Sequence, residues 1–303
     1  MSRGRQVIAV IAVVLLVAVV AALCVLALRH GAGDDPASVP AATPPVVERG
    51  SEATETKRPE PTATPSATPS AAATETKRSS PAEERFLSLN TTTAWRATAG
   101  SCTTGEAPTV ERSTDGGQTW VDVTPTYKGI GQVRGLEAFA QTEAELVADM
   151  GDECETQLLR TFTQGKYWDS YPEILPYWTY RDAADAVATG DGTVDAPCAE
   201  ARSVRASAGT VALVCDATAY TLADGDWQPL DLADALAVAI SDGVLVAHLD
   251  DACPGGIAVS RFADADSSDL LGCAAADSRA PLALASSGTS IFVWSGPSLL
   301  PVE

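Results

Sequence analysis

The chain has 303 residues, with 40 acids against 20 bases, for a formal net charge of −20. A field of that sign repels nucleic acid and anionic lipid surfaces and attracts cations and basic partners. Only two histidines occur, His30 and His248, which argues against a His-ligated zinc centre and a His-based catalytic triad.

Residues 1–6 are short and basic, with Arg3 and Arg5. Val7 to Leu28 then forms an unbroken uncharged apolar run. At ~1.5 Å per residue such a run makes a helix of about 33 Å, enough to cross a hydrocarbon core of ~30 Å. Beyond it come Arg29 and His30, then Asp34 and Asp35. The charge asymmetry predicts a single-pass plasma-membrane anchor with a cytoplasmic N-terminus and an exported C-terminal part. A cleaved signal peptide is the rival reading; its apolar region would be about 7–15 residues and end in a small-residue site, and neither holds here. A lipid-modified Cys24 would want a small residue before it and has Leu23 instead.

Residues 29–84 are rich in Pro, Thr, Ala and Ser and lack aromatics. Such a segment buries too little apolar surface to offset its ordering entropy, so it is expected to be a disordered stalk. The pentapeptide at 54–58 recurs at 74–78 as low-complexity duplication.

From residue 85 to 303 the composition can support a core. This part holds 31 acids and 12 bases, a net of −19. Its six cysteines, Cys102, Cys154, Cys198, Cys215, Cys253 and Cys273, contain no C-x-x-C pair and no zinc-ligand spacing. An even number in an exported domain predicts three disulfides. Fifteen pairings are possible; the sequential one, Cys102–Cys154, Cys198–Cys215 and Cys253–Cys273, is the expectation. The remaining cysteine, Cys24, falls in the apolar run.

Short apolar runs such as Thr210–Cys215, Gly243–Ala247 and Ile291–Trp294 are separated by Gly, Asp, Ser and Pro clusters. That pattern predicts an all-β fold, a propeller or a sandwich. The segment Ser113-Thr114-Asp115-Gly116-Gly117-Gln118-Thr119-Trp120 bears on the choice. Ser113 and Asp115 can bond turn amides, Gly117 can take positive φ, and Trp120 can pack beside the turn. Ser113, Asp115, Gly117, Thr119 and Trp120 together resemble an Asp-box, the hairpin motif of sialidase-like repeat propellers. A faded copy at Thr161–Trp168 keeps the Gly and Trp, and Asp224–Trp227 keeps less. The resemblance implies a propeller; a spacing of about 40–50 residues matches a four-stranded blade. Five blades are expected, at 86–130, 131–180, 181–232, 233–277 and 278–303. The last is short of a strand, and the segment before Phe86 is expected to complete it. A β-sandwich is the alternative.

The resemblance transfers no catalytic residue, since the domain lacks the Arg-Ile-Pro motif of sialidases and the length of their rings. His248 lies within an apolar strand, where a packed ring is the ordinary role. The Asp264–Asp269 stretch opens like a calcium loop but has Asp269 where the turn needs Gly and Ala275 where the bidentate Glu belongs. No metal or cofactor is expected. The densest unusual feature is the run Tyr167, Trp168, Tyr171, Tyr177, Trp178 and Tyr180 in a chain that is 6% aromatic. It reads either as an exposed platform for a protein, peptide or glycan partner or as packing between units. Three functions follow as expectations: a stalked binding module, a degenerate glycan-active enzyme, and a structural envelope protein.

Overall fold

The computed structural model describes residues 82–303. The expected anchor at 7–28, the segment 1–6 and nearly all of the stalk at 29–84 lie outside the described residues. Among the described residues, no helix is long and apolar enough to cross a membrane.

Six antiparallel sheets follow one another along the chain, each a simple meander of neighbouring strands. Blade 1 holds β1 (Arg85–Leu89), β2 (Ala94–Thr98), β3 (Thr109–Ser113) and β4 (Val121–Asp122). Blade 2 holds β5 (Ile130–Ala140), β6 (Glu143–Met150), β7 (Glu155–Thr161) and β8 (Asp169–Ser170). Blade 3 has three short strands, β9 (Tyr180–Ala183), β10 (Ala186–Thr189) and β11 (Gly192–Asp195). Blade 4 is β12 (Arg202–Ser207), β13 (Thr210–Cys215), β14 (Thr218–Ala223) and β15 (Asp226–Pro229). Blade 5 is β16 (Ala235–Ser241), β17 (Gly243–His248), β18 (Ile257–Phe262) and β19 (Ser268–Ala274). Blade 6 is β20 (Leu282–Ser287), β21 (Ser290–Ser295) and β22 (Ser298–Pro301).

The first strands of the blades touch in a closed circle, β1 to β5 to β9 to β12 to β16 to β20 and back to β1. The fold is therefore a six-bladed β-propeller. It is neither a sandwich nor the five-bladed ring expected from the sequence. The miscount arises in 181–232, which holds two blades. Blade 3 has almost no core of its own. Val187 packs into a cluster with Ala201, Val204, Leu213 and Cys215, so the fourth blade's linker and strands supply most of that core. With so few apolar positions, its strands carry no alternation for a sequence reading to detect.

The segment before Phe86 does not complete blade 6. Ala99 donates to Glu84 O and Gly100 to Ala82 O, so these residues extend blade 1. Blade 6 keeps three strands, and side chains close the ring. Arg96 lies over both Trp120 and Trp294, at 4.0 and 4.9 Å from the ring centroids, and Arg85 lies 4.4 Å from that of Trp294. Arg85 and Arg96 also donate to Gly296 O and Pro297 O of blade 6. Leu87 packs with Ala283, Ala285 and Trp294 beneath this ladder.

The Ser113–Trp120 hairpin contributes to the same seam. Asp115 Oδ1 accepts from the amides of Gln118 and Thr119 and from Ser113 Oγ; Oδ2 accepts from Thr119 Oγ1. Trp120 Nε1 donates to Gly117 O. Gly117 sits at φ +85°, and a Cβ there would come within 2.7 Å of Leu299 in blade 6. Only glycine offers both the backbone conformation and the room. In the related turn of blade 2, Gly165 N donates to Thr161 Oγ1, and Trp168 Nε1 reaches Val123 O on the preceding blade's side. Trp227 likewise donates to Asp195 O at the end of blade 3. The tryptophans thus tie each outer hairpin to its own turn or to the chain before it.

Three disulfides are present: Cys102–Cys154 between the loops of blades 1 and 2, Cys198–Cys215 between the linker after blade 3 and β13, and Cys253–Cys273 within blade 5.

Candidate functional site

Hydrophobic clusters fill the seams between blades 1 and 2, 3 and 4, 4 and 5, 5 and 6, and 6 and 1. The seam between blades 2 and 3 is built otherwise. Arg134 of β5 is buried there, 2.6 Å from Asp149 of β6, and donates through Nη1 to Arg181 O and Asp182 O of β9. Thr156 Oγ1 also donates to Asp149. Nearer the surface, Glu145 accepts from the Arg160 guanidinium through one oxygen and from Trp178 Nε1, at 2.6 Å, through the other. Buried charge costs several kcal/mol per ion unless paired. In this seam each buried charge has an opposite partner.

This polar seam opens onto the central channel. A cavity of about 620 Å³ is lined by β1, β5, β12, β16 and β20, by the 177–179 segment ahead of β9, and by the β10–β11 turn. Its wall at the seam is Trp178. The indole lies so close to Gly135 that a Cβ there would stand 2.8 Å from Cζ3. Gly135 is thus needed to seat the ring. Tyr177 precedes it on a 3₁₀ turn, Leu175–Tyr177, stiffened by Pro176. Tyr177 is 80% exposed and lines the cavity's mouth. Glu137 and Asp191 are the acids of the lining, and Arg134 and Arg205 its bases. Desolvation beside the cavity wall, and then the charge of Glu145 across the strand pair, push the Glu137 pKa up.

The opposite end of the channel has a smaller cavity of about 260 Å³, lined by the starts of β1, β12 and β20. Glu84 is the hub of this end. Its carboxylate accepts from Arg181 Nη2 at 3.2 Å and from Ser203 N at 3.0 Å, and lies 3.9 Å from Arg205 Nη1. The channel therefore has one end tied by the N-terminal side of the propeller and a wider end left open.

The structure divides the aromatic segment. Trp168 is a core residue and no part of an exposed platform: it is 1% exposed and meets Trp95 edge-on at 6.0 Å. Tyr167 is exposed beside Lys166. Tyr171 meets Phe162 edge-on, and Phe162 meets Phe139. Arg160 lies over Phe139 and Tyr171, so this second aromatic group abuts the Arg160–Glu145–Trp178 chain. Tyr180 is half-buried in the polar seam, its pKa raised by burial and then by Asp182. Only Tyr177 and Trp178 reach the channel mouth.

Sequence reasoning missed Glu84, Arg134, Glu137, Asp149, Arg181 and Arg205. The available signal was a charged residue embedded among apolar or small neighbours in a strand, as with Arg134 between Val133 and Gly135. His248 is buried, with Nδ1 3.2 Å from Leu249 O and Nε2 2.9 Å from Ser260 Oγ. The carbonyl accepts, so Nδ1 carries a proton, and both ring nitrogens have partners within the fold. No metal-ligating cluster occurs among the described residues.

No protein-family model and no curated protein matches the chain. Among solved structures, the chain resembles YCF48 bound to D1 peptide, with 19% identity, 70% of this chain and 60% of that chain covered, and a TM-score of 0.28. It thus spans less than two thirds of that protein. YCF48 from Cyanidioschyzon merolae matches at 12% identity over 72% of this chain and 82% of that one, with a TM-score of 0.38. Aleuria aurantia lectin in complex with Fucα1-6GlcNAc matches at 10% identity over 71% of this chain and 88% of that one, with a TM-score of 0.43.

Proposed function

We propose that the chain is a membrane-anchored, extracytoplasmic binding module, a degenerate member of the Asp-box propellers, whose partner enters the wide mouth of the central channel. The open cavity walled by Trp178 and fronted by exposed Tyr177 carries the reading. Binding sites are concave, with aromatic walls and a few convergent polar groups. The apolar run 7–28 supports the anchor, and three disulfides fit an oxidising compartment. Affinity capture from the native envelope with the wild-type chain, compared with Tyr177→Ala, tests it. The partner recovered by the wild type should be lost from the variant at unchanged melting temperature. Equal capture by both places the binding surface elsewhere. Topology is tested separately by labelling engineered cysteines at residues 2 and 300 in intact cells: only the second should react with an impermeant reagent.

A second reading rests on Glu137 and Asp191, two carboxyl groups that line the same cavity; burial and the facing Glu145 push the Glu137 pKa up. Glycoside hydrolysis uses two carboxyl groups, one kept protonated near neutral pH. Turnover of a fluorogenic glycoside panel, abolished by Glu137→Gln, would establish it. Absence of turnover leaves the binding module.

A further inference from the structure

The channel cavity has a charge pattern that selects among partners. We propose that its occupant is an extended peptide segment bearing lysine or arginine, whose cation sits between the Tyr177 ring and the carboxylates of Glu137 and Asp191. This deepens the binding-module reading and rests on it.

Four charged residues line the cavity. The two bases are committed. Arg134 is paired with buried Asp149 and donates to two carbonyls. Arg205 donates to Val204 O and Arg85 O, covers the Phe86 ring at 4.7 Å, and has Glu84 within 3.9 Å. The two acids, Glu137 and Asp191, are both exposed, and among the described residues no hydrogen bond or ion pair engages either carboxylate. Glu145, facing Glu137 across the strand pair, is held by Arg160 and Trp178. The charge the cavity presents to an incoming group is therefore negative. A tyrosine ring with its faces in solvent attracts a cation through its quadrupole. Residues 85–303 as a whole carry 31 acids against 12 bases, a field that draws a basic segment in and repels an acidic one. A cavity of about 620 Å³ holds a few side chains, so a chain segment fits where a folded domain does not.

The test is fluorescence anisotropy on the full-length chain in detergent micelles, with three labelled decapeptide pools of matched composition. Their variable positions carry Lys/Arg, Gln or Glu. The Lys/Arg pool should bind about tenfold or more tightly than the Gln pool, and the Glu pool should not bind. Glu137→Gln and Asp191→Asn should each weaken the Lys/Arg pool severalfold. Tyr177→Ala should weaken it about threefold to tenfold, while Tyr177→Phe retains it. Asp266→Asn, on an exposed turn outside the cavity, should change nothing. Circular dichroism establishes that each variant is folded. Equal binding of all three pools overturns cation selection and leaves the binding module standing. An equal effect of Asp266→Asn and Glu137→Gln overturns the site in favour of a diffuse field. If no pool binds, the peptide occupant is overturned; a neutral glycan array that binds, with loss in Tyr177→Ala, would then preserve the module with a different ligand.

Discussion

Replacing Glu84 by alanine should destabilise the propeller by about 3–5 kcal/mol, the ordinary result of removing one partner from a buried ion pair. The side chains of Glu84 and Arg181 are 10% and 4% exposed, so the pair is largely desolvated. Three donors converge on it, from blade 3 (Arg181) and blade 4 (Ser203 N, with Arg205 slightly farther), while its own chain belongs to blade 1. Burial lowers the Arg181 pKa and Glu84 is the main influence raising it again; for Arg205 burial lowers it and Glu84 opposes. Removing Glu84 therefore leaves two desolvated guanidinium groups without their shared counter-charge. For a domain of this size each kcal/mol shifts the midpoint by roughly 2–4 °C, giving a fall of about 10 °C. Urea unfolding followed by tryptophan fluorescence measures the free energy. Glu84→Gln, which can still accept from Ser203 N, should cost less than the alanine variant. Glu84→Ala combined with Arg181→Met should recover part of the loss, because the uncompensated cation goes with it. A loss below about 1 kcal/mol for Glu84→Ala, or a double variant worse than the sum of the singles, would refute the hub.

The seam between blades 6 and 1 should weaken in Arg96→Met by about 2 kcal/mol, through lost cation–π contacts and the ion pair to Glu111, with faster amide exchange in β20 and β21 as the signature. Asp115 has its pKa lowered to about 2, chiefly by the Thr119 hydroxyl and amide and then by Ser113. A depressed carboxylate contributes stability that is whole above the unfolded value near 3.8 and is lost as pH falls through about 2. The wild type should thus lose stability over that window in acid titration, and Asp115→Asn should show a shallower slope there. Removing Cys102–Cys154, which closes a separation of 52 residues, should cost about 4 kcal/mol, against about 3 for Cys198–Cys215 at 17, on the loop-entropy model. Paired Cys→Ala variants compared by denaturant midpoint check the order.

Strands with dense apolar content were legible in the sequence: Thr210–Cys215 and Gly243–His248 each bury nearly their whole length. The hairpin at 113–120 was legible because its bonds are local, Ser113 and Asp115 serving amides within four residues. The three bonds of the structure join the cysteines in sequential pairs. Blade 3 was not legible. Val187 and Arg181 are the buried residues of its strands, and no period shows in strands of four residues.

The channel escaped the sequence for a further reason. Its lining comes from the first strand of one blade after another, so residues as far apart as Glu84 and Ser203 meet only when the ring closes. A charge in such a strand looks like a defect of its own blade. Arg134 breaks the apolar run of β5, and its compensation lies partly on β6, in Asp149, and partly on β9, in carbonyls 47 and 48 residues away. The same reasoning explains why one seam could be polar. Ring closure fixes the spacing of all six seams, and five apolar seams hold that spacing. The seam between blades 2 and 3 can then carry charges and a tryptophan seated on a bare glycine.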